Sequence, residues 1–384
     1  MGRKQKQKEK IMKLNLLRKS LFLVALCSAI ILAGCKNDSG SSEPSVVDTI
    51  TAISVVPATA NPDAEPVTEA KFEAVAEAQL KTELTSVLKD ITKIIPKKSA
   101  VSSTSVYNNS RAVTEEDFNK SLAEMKESIK MEMSEDGTTG SIKGSWSAPT
   151  GEIDFGENPP EGVKVYLNSL GFNVNASYKM TETEVNASAN ASARFGASAE
   201  ISIPEEADSC IKSGKFSSLV TMGLVGLNAK MSPAGMSQMM AGSSNPSAMN
   251  PESLLTYVTS IGGKVVAYEG VNSAFYFEVE DPADGTVYNG IIKYDLTASI
   301  NYNITEESLT ELAGTITGLV SSMKGKGTKP TAADFEAFDD IITMSADFAV
   351  YDITGEKIFT IFESTSFSDT IAEVMKLTTT TVTD

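Results

Sequence analysis

Ser209 and Lys212 are the first residues whose types and spacing could do covalent chemistry. They stand three positions apart in Ser209-Cys210-Ile211-Lys212, the spacing at which a lysine assists a nucleophilic serine. The Ser-Asp-Asn and Lys-Thr-Gly elements that accompany this spacing in serine acyl-enzymes do not occur in the sequence. A four-residue match arises easily by chance, so we predict no catalytic residue here.

Histidine is absent from all 384 residues. This excludes Ser-His-Asp and Cys-His nucleophile systems and every His-ligated zinc or iron site. A hydrolase that uses carboxylates alone, as glycosidases do, survives as an alternative, because its acid and base are both Asp or Glu. The main prediction is nevertheless a protein that is not an enzyme.

A group of acidic residues could supply oxygen ligands to calcium. Glu278, Glu280, Asp281 and Asp284 lie close together in the sequence, but they lack the spacing of a calcium-binding loop. The pattern favours a solvated hairpin edge. We predict no bound metal and no cofactor.

The segment from Leu21 to Cys35 reads LFLVALCSAIILAGC. It follows Lys13, Arg18 and Lys19, and small residues precede its end. A charged beginning, an apolar middle and small residues before a cleavage point are typical of a secretory signal. The apolar run is too short to cross a hydrocarbon core of ~30 Å, which needs about 20 residues.

The last four residues, Leu32-Ala33-Gly34-Cys35, resemble the lipobox of bacterial lipoproteins. The resemblance implies cleavage between Gly34 and Cys35 and attachment of lipid to Cys35. Two or three acyl chains anchor stably, whereas one is marginal. We therefore expect a protein of the bacterial cell envelope, anchored by lipid to a membrane, with the outer membrane or cell surface favoured over the inner membrane.

The charge and cysteine content limit the partners. Residues 1–34 carry eight Lys or Arg and one Glu, so their removal shifts the formal charge from −17 to −24. This excess argues against nucleic acid, whose binding depends on basic residues that neutralise phosphates. Cys27 would be removed with the signal and Cys35 would carry lipid, which leaves Cys210 as the one free cysteine. No disulfide within the mature domain is therefore predicted.

The domain organisation follows from composition. Residues 1–34 are the predicted signal peptide, 35–67 a flexible tether rich in Ser, Gly, Asp and Pro, and 68–384 the folded domain. Both ends of this domain contain a long alternating strand with helices nearby. A division into two similar halves, about 68–210 and 251–384, is a further hypothesis.

Apolar residues three and four apart predict helices near 68–95, 114–133, 251–260, 305–323, 330–342 and 366–377. Strict alternation predicts strands at 172–180, 185–203, 264–268, 273–280 and 288–304, and a hairpin over 346–362. Together these patterns predict an α+β fold: a curved antiparallel sheet of long strands with amphipathic helices packed on one face.

Six of the fifteen methionines lie between residues 222 and 249, in a Gly-, Ser- and Asn-rich background. Methionine is flexible and adapts to varied apolar partners. One hypothesis is an apolar contact segment; the other is a surface loop or filler over the edge of the core. The candidate contact residues are Met222, Met231, Met236, Met239 and Met240.

These observations lead to one main functional hypothesis and two alternatives. The main hypothesis is a lipid-anchored envelope protein that binds an apolar ligand, such as a lipid, or a protein partner. The first alternative is a surface-exposed lipoprotein whose polar, acidic surface meets host or matrix proteins. The second is the carboxylate-only hydrolase.

Overall fold

The computed structural model describes residues 52–77, 79–80, 113–114, 116–154, 162–205, 209–235, 257–326 and 331–372. The signal segment with Gly34 and Cys35 lies outside these residues, as do Met236, Met239 and Met240.

One sheet of eleven strands dominates the described chain. Nine strands follow one another in the order β2-β3-β5-β6-β7-β8-β9-β10-β11, each antiparallel to its neighbours. β4 pairs with β5, and β1 adds a short parallel contact to β9. The strands are β1 (Glu65–Pro66), β2 (Lys130–Met133), β3 (Thr139–Ser147), β4 (Gly151–Glu152), β5 (Val163–Met180), β6 (Val185–Ser202), β7 (Ile211–Met231), β8 (Val258–Glu280), β9 (Val287–Thr305), β10 (Ile342–Tyr351) and β11 (Lys357–Ser364).

Helices account for a smaller part of the described chain than strands do. Helix α1 begins as Glu69–Lys71 and continues as a π-helical turn, Phe72–Ala76. Helix α2 is Glu116–Ser128 and helix α3 is Glu306–Lys326. Short 3₁₀ turns occur at Ala52–Val55, Ala332–Asp334 and Glu336–Phe338, and residues 367–372 are helical.

Cross-strand pairing sorts the side chains onto two faces of different chemistry. Ala193 of β6 pairs with Phe172 of β5 and Met222 of β7, so these three side chains share one face. The neighbouring pairs, Ser192 with Asn173 and with Gly223, fall on the opposite face. We call these the apolar face and the polar face.

The main core covers the apolar face at one end of the long strands, which we call the core end. Phe72 and Leu80 of the α1 segment lie against Phe277 of β8 in the same buried cluster. The Phe72 ring meets the rings of Phe277 and Phe359 edge-on, with centroids 6.0 and 5.3 Å apart. Helix α1 therefore closes the apolar face at this end.

The opposite face is also covered at the core end. Val55 packs on Tyr276 and Ile291 in a second buried cluster. The Ser213 hydroxyl donates to the Val55 carbonyl, which ties the 52–55 turn to β7. Both faces of the sheet are thus buried at the core end, and this is where the fold has two covering layers.

The predicted α+β class is wrong. The described chain is mainly one large antiparallel sheet with few helices, rather than a sheet with amphipathic helices packed along one face. The predicted antiparallel pairing of long strands is present, but the helices that should cover them are sparse. α1 covers only the core end, and α2 only the β3 edge.

The largest local correction concerns residues 211–231, for which no strand was predicted. They form β7, in the middle of the sheet. Gly214 serves packing there, because a Cβ at this position would meet the Phe275 ring at 2.3 Å. The pairing of β7 with β8 shifts between Val225 and Asn228, and Gly226 adopts a positive φ of 60° in that bulge.

Four helix predictions need correction. The helix predicted over 330–342 is replaced by two short 3₁₀ turns, and residues 258–260, the end of the helix predicted over 251–260, belong to β8. The second helix was predicted to reach Met133, but α2 ends at Ser128 and Lys130–Met133 form β2 on the edge of β3. Helix α3 lies where it was predicted, but Ile316 of its apolar stripe is 46% exposed rather than packed inward. Within 4 Å of a Cβ built at Gly314 or Gly318 there is no neighbouring atom.

The difference between the covered core end and the exposed helix α3 can be measured by matched substitutions. Ile291 is 0% exposed and Ile316 is 46% exposed. We expect Ile291→Ala to lower the free energy of unfolding by about 2–5 kcal/mol. Ile316→Ala should change it by no more than about 0.5 kcal/mol. Urea unfolding followed by circular dichroism measures both; equal losses would contradict this description of the core.

Candidate functional site

The candidate site is the half of the apolar face that lies beyond the core end. Here rows of side chains cross from β5 to β10, and the register gives their composition. One row contains Phe172, Ala193, Met222, Ala267, Ile300 and Ile342, and the next contains Val174, Ala191, Leu224, Val265 and Tyr302. We call this region the open half of the apolar face.

Large apolar side chains remain accessible on this face. Met222 is 41% exposed in the middle of the sheet. Towards the β2 edge, Ile142, Met133 and Met131 are 40, 68 and 76% exposed. Pairing of Met131 with Ile142, and of Ile142 with Ala176, places them on the same face. Large exposed apolar side chains that share one face make this surface a candidate for binding.

Small side chains make the β6 part of this surface low. Ala187, Ala189, Ala191 and Ala193 succeed one another on the apolar face of β6. Larger side chains stand beside them, such as Tyr178 on β5 and Leu224 on β7. A floor of methyl groups between larger apolar residues lets an apolar molecule approach the backbone closely.

Helix α2 forms one margin of the open half. The Trp146 indole Nε1 donates to the Ser121 hydroxyl at 2.6 Å, and Ser121 is buried. The Trp146 and Phe172 rings lie with their centroids 6.1 Å apart. Trp146 is the one tryptophan of the chain, so its emission reports on this margin.

The other margin is the passage from β9 into α3. Tyr302 lies on the apolar face opposite Val265, and its hydroxyl donates to the Ser308 carbonyl in the first turn of the helix. Thr305 caps that turn: its hydroxyl accepts from the Ser308 amide at 3.0 Å. The start of α3 is thereby fixed to the edge of the apolar face.

Glu269 is the exception to the chemistry of this face. It pairs with Val220 on β7 and with Ala298 on β9. Among the described strand residues that the register places on the apolar face, Glu269 is the one charged side chain. It stands at the boundary of the open half, since the next row towards the core end contains the buried Val271 and Leu296.

The surroundings of Glu269 disfavour its charged form. Its Oε1 atom is buried and has no hydrogen-bond partner, while the residue as a whole is partly exposed. Burial raises the pKa of the Glu269 carboxyl above its ordinary value of 4.5. Burial, and then the nearby charge of Glu269, raise the pKa of Tyr294 on the same face.

The polar face has a different organisation. Its hydroxyl and amide side chains bond one another across the strands: Ser177 and Ser188 hydroxyls lie 3.0 Å apart, and Asn168 Nδ2 donates to Ser198 Oγ at 3.0 Å. Asn175 and Asn190 are a further pair of polar residues that face each other across β5 and β6. Beyond the core end, where Val55 covers it, this face is suited to water and needs no covering layer.

Two described carboxylates that face each other across neighbouring strands are engaged in structural contacts. Asp295 and Asp347 are cross-strand partners on the polar face. Lys293 Nζ lies 2.7 Å from Asp295 Oδ2, and Lys357 Nζ lies 2.7 Å from Asp347 Oδ2. Both lysines also stand over the Tyr351 ring. Each carboxylate thus has its own cation, which suits a structural network better than an acid and base pair.

The acidic residues near the β8–β9 turn also have structural partners. Lys71 of α1 lies 2.5 Å from Asp281 Oδ2, and its ammonium holds the pKa of that carboxyl below its ordinary value. The Glu278 carboxylate accepts hydrogen bonds from the backbone N–H of Asn61 and from the Tyr276 hydroxyl, each at 2.7 Å. These contacts fasten α1 and the 52–64 segment to the sheet. Ser209, the candidate nucleophile, donates its hydroxyl to the Ile211 carbonyl.

The two candidate methionines that lie within the described residues, Met222 and Met231, differ in exposure. Met222 is exposed on the open half of the apolar face, whereas Met231 is 4% exposed and packs with Val185 and Ala229 at the far end of the strands. Met236, Met239 and Met240 lie outside the described residues. Of the described pair, only Met222 belongs to the candidate site.

Glu269 was missed from the sequence, although a sign of it was present. Val265, Ala267 and Val271 alternate regularly, and Glu269 takes an apolar place in that period. The alternation predicted two strands with a break at this point, whereas β8 continues through it. A carboxylate in the register of an apolar face would have identified the site.

No family model, curated protein or solved structure matches the chain. Across the parts of the chain that the structure describes, no helix is long and apolar enough to cross a membrane. In the same parts, His, Cys, Asp and Glu form no group of three that could hold a metal ion.

The Trp146–Ser121 hydrogen bond can be tested by Ser121→Ala. This change leaves a partly buried indole N–H unpaired, at a cost of about 1–3 kcal/mol. The better helix propensity of alanine offsets about 0.5 kcal/mol. We expect the free energy of unfolding, measured by Trp146 emission in urea, to fall by about 1–2 kcal/mol. The control Ser177→Ala on the polar face should change it by less than about 0.5 kcal/mol.

Glu269 gives a pH-dependent prediction. A carboxyl whose pKa is raised by folding binds protons more tightly in the folded state, so its contribution to stability falls as pH rises from the unfolded pKa. We expect Glu269→Gln to raise the free energy of unfolding at pH 7, and this gain to shrink as pH falls towards 4.5. Urea unfolding at several pH values measures the gain. A gain that grows in acid would contradict the assignment; Glu280→Gln, at an exposed site on β8, is the control.

Proposed function

We propose that this chain is a lipid-anchored, non-enzymatic protein of the bacterial cell envelope that binds an apolar ligand on the open half of its apolar face. The observation that carries the proposal is the exposure of Met222, a large apolar side chain in the centre of an extended sheet, on the same face as the exposed Ile142, Met131 and Met133. A protein of formal charge −17 has ample polar residues to place on an exposed face, yet the two rows of the open half around Met222 and Leu224 consist of apolar and aromatic residues.

The arrangement of the two faces supports binding rather than simple solvation. An antiparallel sheet exposed on one side normally shows polar residues there and buries the other side. The polar face follows this rule with its serine and asparagine pairs. At the core end the apolar face follows it too, because Phe72 and Leu80 cover it. The open half has the composition of a buried surface, and an apolar ligand would bury it.

The sequence supports the location. The resemblance of Leu32-Ala33-Gly34-Cys35 to a lipobox implies a lipid anchor at Cys35, so the folded domain would stand next to a membrane. The outer membrane or the cell surface is our preferred site. A protein held beside a bilayer meets apolar molecules at high local concentration, which favours a lipid-like ligand over a water-soluble one.

A second candidate function uses the polar face. Long rows of serine, threonine and asparagine side chains there could meet host or matrix proteins at the cell surface. The hydrogen-bonded pairs Ser177–Ser188 and Asn168–Ser198 are the observation that favours it. This function needs no apolar ligand.

Site-specific photo-crosslinking in bacteria that express the full, lipid-anchored chain tests the proposal. We expect benzoylphenylalanine at Met222, on the apolar face, to give adducts with the mass of a small apolar molecule. The same residue at Ser177, on the polar face, should not give them. Mass spectrometry of the purified, denatured chain identifies the adducts.

The other outcomes have definite meanings. Absence of small adducts at Met222 would overturn the proposed ligand function. Protein-sized adducts from Ser177 alone would overturn it in favour of the second candidate.

A further inference from the structure

We infer that the apolar ligand is an amphiphile that carries a cationic nitrogen, and that the Glu269 carboxylate binds this nitrogen. The inference rests on the proposed function and specifies the chemistry of the ligand. It starts from the position of Glu269, the one charge that the register places among the described residues of the apolar face.

The contacts of Glu269 favour an external partner. Its Oε1 is buried without a hydrogen bond, although most buried polar groups are paired. Across the strands stand Val220 and Ala298, which offer no side-chain donor. No described basic side chain forms an ion pair with it, in contrast to Asp281, Asp295 and Asp347. A donor supplied by a ligand would satisfy this carboxylate.

Charge selects the kind of donor. A carboxylate on an apolar surface repels an anionic head group and attracts an ammonium group, because little water screens either charge there. The formal charge of −17 acts in the same direction at long range. A fatty acid would place a second carboxylate beside Glu269. An amine-bearing amphiphile replaces that repulsion with a charge-assisted hydrogen bond.

The position of Glu269 on its strand sets the direction of the apolar tail. Towards the core end, the tail is blocked by the buried Val271, Leu296 and Ala346. Away from it lie Ala267, Met222 and Val265 on the open half. From Glu269 to Gly263, which precedes the buried cluster around Val185 at the far end, the strand extends ~20 Å at about 3.3 Å per residue. One leaflet of a ~30 Å hydrocarbon core is about 15 Å deep, so a lipid tail fits this length.

Three photoreactive alkyl probes with the same diazirine chain test the inference. Their head groups are a primary ammonium, an alcohol and a carboxylate. Each is added at pH 7 to membranes that contain the full, lipid-anchored chain, and labelling of peptides from β7 and β8 is quantified by mass spectrometry. Glu269→Gln removes the charge and keeps the shape; Glu269→Asp keeps the charge; Glu280→Gln is the matched control on the polar face of β8.

We expect the ammonium probe to label the wild-type peptides about tenfold more than those of Glu269→Gln, the loss that corresponds to one charge-assisted hydrogen bond. Glu269→Asp should retain more labelling than Glu269→Gln, and Glu280→Gln should match the wild type. The carboxylate probe should show no such loss.

Two contrary results are distinguishable. Equal ammonium labelling of the wild type and Glu269→Gln would overturn the inference, while labelling of β7 and β8 by any probe would leave the proposed function standing. Labelling of these strands by none of the three probes would overturn both. Urea unfolding of each variant confirms that it folds.

Discussion

Cross-strand register is the constraint on which this structure depends. Side chains alternate between faces at every residue, so a slip of one position would exchange the faces of a whole strand. β5 and β6 contain 18 residues each and pair along almost their whole length, and the register shift between Leu167 and Ser169 keeps Leu170 on the same face as Leu167. Bulges thus absorb irregularities without mixing the faces. The result is a sheet that is apolar on one side and polar on the other.

Strands this long extend further than the elements that cover them. β8 contains 23 residues, whereas α1 contacts only its core end through Phe72 and Leu80. The buried clusters follow this geometry: those around Phe277 and Ile291 lie at the core end, and the small one around Val185 lies at the far end. Stability therefore concentrates at the core end. Among the described residues no large buried cluster covers the middle of the apolar face, which is the physical basis of the proposed ligand site.

The sequence predicted the strands whose alternation is regular. β6 combines apolar residues at odd positions with polar ones at even positions from Val185 to Ile201, and it was found almost residue for residue. β7 was missed because Gly214, Gly223 and Gly226 interrupt its pattern, although each is compatible with a strand whose neighbours supply the hydrogen bonds. Helix α3 was predicted correctly, but its apolar stripe also predicted that Ile316 would be buried against a neighbouring element. In the structure Ile316 is exposed. Local pattern indicates an element; it does not say which neighbour covers it.

Glu269 shows why the candidate site was harder to predict than the fold. A glutamate at an apolar position interrupts the alternation, and the sequence predicted two separate strands, 264–268 and 273–280, with a break that contains Glu269. Hydrogen bonding by β7 and β9 on both sides holds β8 in register through this point, and the backbone of a central strand has no other low-energy course. The carboxylate is thus forced onto the apolar face at a cost in desolvation. A residue that breaks a local rule, and is held in place by the surrounding sheet, is where a functional role should be sought.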